Sequence, residues 1–215
     1  MVMSQVEKEI KFSPDQETLD GLVTGQPEEI VNRDVYQGFP DIKQVKYPLV
    51  QQDAWLRNRN GEYELKIVSG DGGPVKVSEE LPADEVDSRL SDLLARKGVS
   101  DHDGLDDPRL ESLVYVRTAR KRFEENAETP GVDVFHVDVD HVTFWESLEY
   151  GWQRPGEPSL HWNIAEIDIT ADGRAAAKKE ISRVVENYGL SVHDQRKIMT
   201  YLQRDEHEAL RYIPK

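Results

Sequence analysis

Charged residues recur two positions apart in one segment after another of this 215-residue chain. The first example lies near the N-terminus, where Glu7, Glu9 and Lys11 occupy alternate positions within residues 6–12. Because the side chains of a β-strand alternate between its two faces, all three charges point to the same side if this segment is a strand. A strand face in water tolerates such a row. The interior of a barrel would use it, since carboxylates hold a divalent cation and a lysine can meet an anion. The motif alone leaves both interpretations open.

The same spacing recurs in five later segments that we predict to be strands. They carry the pairs Arg57/Arg59, Glu64/Lys66, Arg120/Arg122, Asp138/Asp140 and Glu166/Asp168. Acidic and basic pairs segregate by strand, and the opposite faces carry large apolar residues, such as Leu56, Leu65 and Ile67, that helices could cover. An ordinary sandwich would turn each charged face to water. The recurrence over six strands favours a polar interior.

Turn and periodicity signals predict the architecture. Asn60-Gly61 lies between two alternating runs, 54–59 and 63–68, and is the strongest short signal for a hairpin. Further strands are predicted at 4–12, 33–36, 75–81, 113–123, 132–140 and 160–169, and residues 14–30 are expected to be helical or irregular. Apolar residues at helical spacing predict helices over 82–98 and 173–188, and a last helix after Ser191. We therefore expect one α+β domain over residues 1–215: a closed eight-stranded antiparallel β-barrel, or tunnel, with helices packed outside.

Composition excludes several classes of protein. The net charge is −15, from 42 acidic and 27 basic residues, which argues against nucleic acid as a partner. The chain has no cysteine, so disulfides, thiol nucleophiles and cysteine-bound zinc are excluded. No apolar run approaches the about 20 residues that cross a bilayer, and no secretory signal is recognisable. We expect a cytoplasmic monomer without a membrane partner. Asp101-His102-Asp103-Gly104 resembles the start of a calcium loop, but the later ligands are missing, and we interpret it as a solvated loop.

Segregated acids and bases inside one cavity are typical of metal-assisted phosphoryl transfer. Guanidinium and ammonium groups clamp phosphate oxygens, and carboxylates hold Mg²⁺ or Mn²⁺. With the residues placed in this way, the chain resembles the CYTH, or triphosphate tunnel metalloenzyme, superfamily, and within it the thiamine triphosphatases most. The likeness covers most of the chain and rests on these motifs in order: Val6 to Phe12, Arg33-Asp34, Trp55 to Arg59, Tyr63 to Lys66, Thr118 to Arg120, Val137 to Asp140, Ala165 to Asp168, and Lys197 before Tyr201 to Arg204.

The resemblance implies roles for individual residues. The metal, Mg²⁺ or alternatively Mn²⁺, would be faced by Glu7, Glu9, Asp138, Glu166 and Asp168. The triphosphate would meet Lys11, Arg57, Arg59, Lys66, Arg120 and Lys197, and Trp55 would stack on the thiazolium of thiamine. The catalytic residues would be Lys197, Glu9, Glu166 and Asp168. Because the cluster 117–122 aligns in more than one register, Arg117 and Arg122 compete with Arg120 for its role. Asp168 stands where the family prefers Glu.

The implied activity is metal-dependent hydrolysis of thiamine triphosphate to thiamine diphosphate and phosphate. Two enzyme alternatives stay open: an inorganic triphosphatase acting on tripolyphosphate, and a class IV adenylyl cyclase. A polyphosphate-binding module without catalysis is the third. Trp55 distinguishes an organic cation from inorganic triphosphate, and the complete acidic set favours an enzyme over a binding module.

Overall fold

A computed structural model describes residues 6–13, 15–69, 77–81, 83–149, 151–153, 155–193, 197–204 and 207–213. Two predicted site residues, Glu7 and Lys197, fall where the backbone alone is described. The elements in these ranges are β1 Val6–Phe12, α1 Gln16–Leu22, β2 Glu28–Gly38, β3 Asp41–Ile42, β4 Val45–Lys46, β5 Ala54–Arg59, β6 Glu62–Ser69, β7 Val77–Leu81, α2 Ala83–Arg96, β8 Glu111–Glu124, β9 Val132–Trp145, β10 Leu160–Ala171, α3 Arg174–Tyr188, β11 Val192–His193 and α4 Lys197–Arg204.

Nine of these strands form one antiparallel sheet in the order β11-β1-β10-β9-β8-β2-β5-β6-β7. The sheet curls strongly, because Lys66 on β6 lies 3.4 Å from Glu9 on β1, although five strands separate β1 from β6 in the order. The α+β class is confirmed. The expectation of a closed eight-stranded barrel is wrong: within the described residues no backbone pairing joins β7 to β1. The short strand β11 pairs instead with Lys11 and Phe12 on the free edge of β1, and the result is a curled half-barrel.

The hairpin predicted at Asn60-Gly61 is confirmed. Both residues have positive φ, 52° and 103°, as a two-residue turn between twisted strands requires. The turn sets the register of β5 on β6, in which Arg57 faces Glu64 and Trp55 faces Lys66. The charged pairs of the two strands therefore meet on one face of the sheet.

Two helices cover the outer face of the sheet. Helix α3 packs Ile181 and Val184 onto Ile167 and Ile169 of β10, and α2 packs Leu90 and its neighbours onto β5 and β6. Helix α3 ends where Gly189 adopts a left-handed conformation, φ 61°, and donates its N–H to the carbonyl of Val185. In the described part of the chain, no helix is both long enough and apolar enough to cross a membrane.

The last helix lies on the inner face, not outside as the sequence predicted. Ile198, Tyr201 and Leu202 of α4 pack into an apolar cluster with residues such as Val116 and Phe144. Phe144 stacks on Tyr201 with ring centroids 5.7 Å apart. Val116 and Phe144 share their strand faces with the charged residues of β8 and β9, so the inner face is apolar at one end and charged at the other.

The strands are longer than the hydrophobic pattern predicted. β2 begins at Glu28, within the segment 14–30 that was expected to be helical or irregular. Its exposed first residues pair with the far end of β8, where Glu28 faces Arg122 and Ile30 faces Arg120. Backbone pairing with a long neighbour thus extends the strand through residues that no apolar alternation marks.

Candidate active site

Three carboxylates converge on the inner face of the half-barrel. One oxygen each of Glu9, Glu166 and Asp168 lies within 4.8 Å of the other two. The strand register causes this, because Glu9 on β1 is directly opposite Asp168 on β10, and Glu166 follows two residues along the same face. Hard oxygen donors in this number and spacing suit Mg²⁺ or Mn²⁺, so the residues present fit a divalent cation.

Four cationic side chains border these carboxylates. Lys11 pairs with Glu9 and lies 3.5 Å from Glu166, and Lys66 approaches Glu9 from β6 at 3.4 Å. From the other side, Nη2 of Arg120 donates to Glu166 at 2.6 Å, and Nη2 of Arg122 lies 3.6 Å from Asp168. The acidic and basic groups of the site therefore neutralise one another in a single network.

Two buried aspartates on β9 orient these arginines. Arg120 donates from Nε and Nη2 to the two oxygens of Asp140, at 2.8 Å each. Arg122 grips Asp138 in the same way, at 2.8 and 2.7 Å, and Arg120 also pairs with Asp138. Asp138, a predicted metal ligand, thus lies next to the three converging carboxylates and binds two arginines.

Arg57 and Arg59 form a second group further round the inner face. Nε of Arg57 donates to Glu64 at 2.6 Å, across the β5–β6 hairpin. Arg59 binds Asp34 of β2 through Nε and Nη2, at 2.7 and 3.1 Å. Its Nη1 lies 3.8 Å from Glu64, which links the two arginines. Both predicted phosphate clamps therefore face inwards beside carboxylates outside the converging set.

Trp55 occupies the boundary between the charged and the apolar ends. It shares its face with Arg57, as strand parity predicted, but it is only 4% exposed and packs in the apolar cluster under α4. Its indole N–H donates to Asp53 Oδ1 at 2.9 Å. The ring is thus a core side chain on the inner side of the sheet.

Crowding shifts the proton affinity of the site. Burial raises the pKa of Asp168 to about 7, with the neighbouring charges of Glu166 and Asp138 adding to it. Burial works to lower the pKa of Arg120, but its hydrogen bonds to Asp140 and the charge of Glu166 outweigh this and raise it. Near neutral pH a proton and a cation therefore compete for Asp168, while Arg120 stays charged.

Two of the three candidate arginines in the cluster at 117–122 face the site. Arg117 is exposed on the outer face, and both Arg120 and Arg122 point inwards. The network also contains Arg122, which the sequence left as an alternative to Arg120, and three residues to which the predicted site gave no role: Asp34, Glu64 and Asp140. Glu64, Arg122 and Asp140 are the same-face partners of Lys66, Arg120 and Asp138, so strand parity places them on the inner face without showing what they contact. The side chains of Glu7 and Lys197 are outside the described part, although β1 places Glu7 opposite Thr170.

Comparisons with known proteins support the fold. No protein-family model matches the chain, and no curated protein matches it. The chain is similar to a solved structure from Hippeastrum, described as a "putative adenylyl cyclase", HpAC1, that reveals a dominant triphosphatase activity. The TM-score is 0.54 at 14% identity, over 94% of this chain and 96% of that one. At this identity the likeness shows a shared fold.

Two further structures align over similar lengths with lower scores. One is described as a "putative adenylate cyclase" from Bacillus halodurans, with a TM-score of 0.49 at 16% identity, over 94% of this chain and 98% of that one. The other is the PH1819 protein from Pyrococcus horikoshii OT3, with a TM-score of 0.47 at 15% identity, over 94% and 99%.

Proposed function

We propose that this protein is a divalent-metal-dependent triphosphatase of the CYTH type. The observation that carries the proposal is the convergence of Glu9, Glu166 and Asp168 beside four cationic side chains on one inner face. A binding module for phosphate would need the cations alone. Carboxylates cannot bind phosphate directly, so an acidic centre inside the cationic ring argues for a metal between them.

Glu9, Glu166 and Asp168 would hold the metal, Mg²⁺ in the first place and Mn²⁺ as a substitute. The sequence adds Glu7 and Asp138 to this set. Glu7 lies on β1 with Glu9, and Asp138 on β9 is directly opposite Glu166. A bound divalent cation neutralises charge on the terminal phosphoryl group and orients a water molecule. The largely buried carboxylates would supply a preformed and partly dehydrated site for it.

The cationic side chains would bind and orient the triphosphate. In the ion network Lys11, Lys66 and Arg120 each pair with a carboxylate that we assign to the metal. A cation held by those carboxylates would compete with these ion pairs, and the three side chains would then donate to phosphate oxygens. Arg57 and Arg59 would clamp the triphosphate further along, since planar guanidinium groups contact phosphate in two places. Lys197, at the start of α4, is our candidate for a further phosphate contact.

Thiamine triphosphate is the organic substrate that the sequence resemblance favours, through Trp55 and a cation–π contact with the thiazolium. One observation favours a second candidate, inorganic tripolyphosphate. Because Trp55 is almost fully buried under α4, stacking on a thiazolium requires part of this cover to move. A substrate that lacks an organic group makes no such demand. The adenylyl cyclase alternative has no residue in the described site that favours it.

The test is release of phosphate from thiamine triphosphate, tripolyphosphate and ATP in parallel, with Mg²⁺, with Mn²⁺ and with a chelator. The proposal expects metal-dependent release of phosphate from at least one of the first two substrates, and none with the chelator. Formation of cyclic AMP and pyrophosphate from ATP would support the cyclase instead. Tight binding of tripolyphosphate without any turnover would make the protein a binding module.

A further inference from the structure

Asp34 and Arg59 form a bidentate ion pair on the inner face, apart from the three converging carboxylates. The two residues are directly opposite in the register of β2 on β5. Nε and Nη2 of Arg59 donate to the two oxygens of Asp34 at 2.7 and 3.1 Å, so the guanidinium is held in its plane. The side chain of Asp34 is 1% exposed, and within the described residues it accepts hydrogen bonds from Arg59 alone.

The local backbone fixes Asp34 in place. Its neighbour Arg33 donates its backbone N–H to the side chain of Asn60 at 3.0 Å and accepts the backbone N–H of Asn60 at 2.9 Å. This ties β2 to the turn that follows Arg59. Asp34 directly follows Arg33, and Arg59 directly precedes Asn60. The hydrogen bonds between Arg33 and Asn60 therefore hold the backbones of Asp34 and Arg59 next to each other.

This pair is separate from the carboxylates that we assign to the metal. Lys11, Lys66 and Arg120 each contact one of those carboxylates, so their availability to phosphate depends on the metal. Arg59 contacts Asp34, and Glu64 at 3.8 Å, and within the described part of the chain it meets no member of the metal set. Asp34 engages the N–H of Nε and one N–H of Nη2, so the two N–H groups of Nη1 and the second N–H of Nη2 point away from it.

We infer that Asp34 is a positioning residue that holds Arg59 as a preset phosphate clamp, independently of the metal. The inference rests on the proposed function and adds to it a residue whose own carboxylate touches neither metal nor substrate. The bidentate pair keeps the guanidinium in one orientation before any ligand arrives, which lowers the entropy lost when a phosphate oxygen binds. Lys11, Lys66 and Arg120 would contact the phosphate only when the metal ion is bound.

The test measures binding of tripolyphosphate by calorimetry, with a chelator and without turnover, in Asp34→Asn, Arg59→Ala and the double variant. Asp34→Asn keeps shape and removes charge, and it should weaken binding by about tenfold. In the Arg59→Ala background the same change should cost less than twofold, because Asp34 then has no clamp to orient. Asp34→Glu, which keeps the charge but moves it by one methylene, should also weaken binding and guards against a folding defect in Asp34→Asn.

Kinetics provide the readout that a merely structural role would not move. Asp34→Asn should raise KM for the hydrolysed triphosphate while kcat and the Mg²⁺ concentration for half-activation stay close to wild type. The matched control is Glu128→Gln, which removes an ion pair with Arg183 outside the sheet's inner face and should change none of these.

Two results would overturn the inference: unchanged binding in Asp34→Asn, or equal losses in the wild-type and Arg59→Ala backgrounds. The proposed function fails differently. If the wild-type protein neither binds nor hydrolyses any of the three triphosphates, the activity is wrong and the inference falls with it. If the wild type binds and hydrolyses but Asp34→Asn is silent, only the role of Asp34 is wrong.

Discussion

Lys66 Nζ lies 3.4 Å from Glu9 Oε2, and this ion pair joins strand β6 to strand β1 across the open side of the sheet. The two residues belong to opposite halves of the strand order, so their contact requires the sheet to curl. The same contact places a cation beside the three converging carboxylates. One pair therefore connects the curvature of the fold with the chemistry of the site.

The first prediction concerns the acidic centre. Glu166→Gln should reduce metal-dependent hydrolysis by more than about 100-fold, because it removes one of the carboxylates that we assign to the metal, and the metal neutralises the charge of the phosphoryl group. Stability should change little, since Arg120 keeps Asp140 and Asp138, and one of several crowded like charges disappears. Phosphate release at saturating Mg²⁺ and thermal unfolding are the two measurements.

Glu128→Gln is the control for this variant. It also converts a glutamate that pairs with an arginine, but its carboxylate is 70% exposed and lies outside the inner face. It should retain wild-type turnover. Near-wild-type hydrolysis in Glu166→Gln would remove that residue from the metal site.

Strand parity explains how much of the fold and site the sequence could predict. Alternation correctly placed Glu9, Arg57, Arg120 and Glu166 on the charged faces of their strands, because every second side chain of a strand points to the same face. It could not show which cation meets which carboxylate, since that depends on register between strands distant in sequence. The contact of Arg120 with Glu166 spans 46 residues.

The burial of Trp55 shows a second limit. Its face was correctly predicted, but its surroundings depend on where α4 packs, and an amphipathic helix does not encode which face of a sheet it covers. The prediction of a closed barrel was wrong for a related reason. In the structure the free edge of β1 pairs with the short strand β11 through two residues, and no hydrophobic pattern marks such a short pairing.

The second prediction concerns the arginine clamps. Arg57→Lys and Arg59→Lys should each weaken tripolyphosphate binding by about tenfold, because a lysine is a point charge and cannot make paired contacts with phosphate. The matched control is Arg109→Lys. Arg109 makes the same paired contact with Asp107, at 2.9 and 2.7 Å, in the connection between α2 and β8. Calorimetry with a chelator measures the affinity, and unchanged affinity in both inner variants would exclude the clamp role.

The third prediction concerns a buried carboxylate outside the site. Glu180 on α3 accepts the backbone N–H groups of Glu128 and Thr129, at 3.1 Å each, and a hydrogen bond from Arg183 at 2.7 Å. Burial alone would raise its pKa, but the hydrogen bonds from Arg183 and Thr129 outweigh burial and lower it to about 2. Glu180→Gln should therefore destabilise the protein by about 1.5–3 kcal/mol at pH 7, since the N–H groups of Arg183, Glu128 and Thr129 then donate to a neutral amide in place of a buried charge.

The pH dependence of this effect has a definite sign. A carboxylate whose pKa is lower in the folded state stabilises the fold above its unfolded pKa of about 4.5. That stabilisation is lost as the pH falls towards about 2. The difference in unfolding free energy between wild type and Glu180→Gln, measured with urea, should thus be smaller at pH 3 than at pH 7. A difference that is constant over this range would mean that the charge of Glu180 contributes nothing.

The last prediction separates the two candidate substrates through Trp55. If its indole reads a thiazolium, Trp55→Leu should lower kcat/KM for thiamine triphosphate by several-fold to about tenfold, since a cation–π contact contributes about 0.5–2 kcal/mol. Hydrolysis of tripolyphosphate should stay nearly unchanged. Phe144→Leu is the control for packing, because Phe144 lies in the same apolar cluster, is fully buried and carries no predicted contact with substrate. Both variants create a cavity and should lose comparable stability, about 1–3 kcal/mol. Selective loss in Trp55→Leu alone would identify an organic cation as the natural ligand. Parallel losses on both substrates, or in both variants, would make Trp55 a support of the inner core and tripolyphosphate the better substrate.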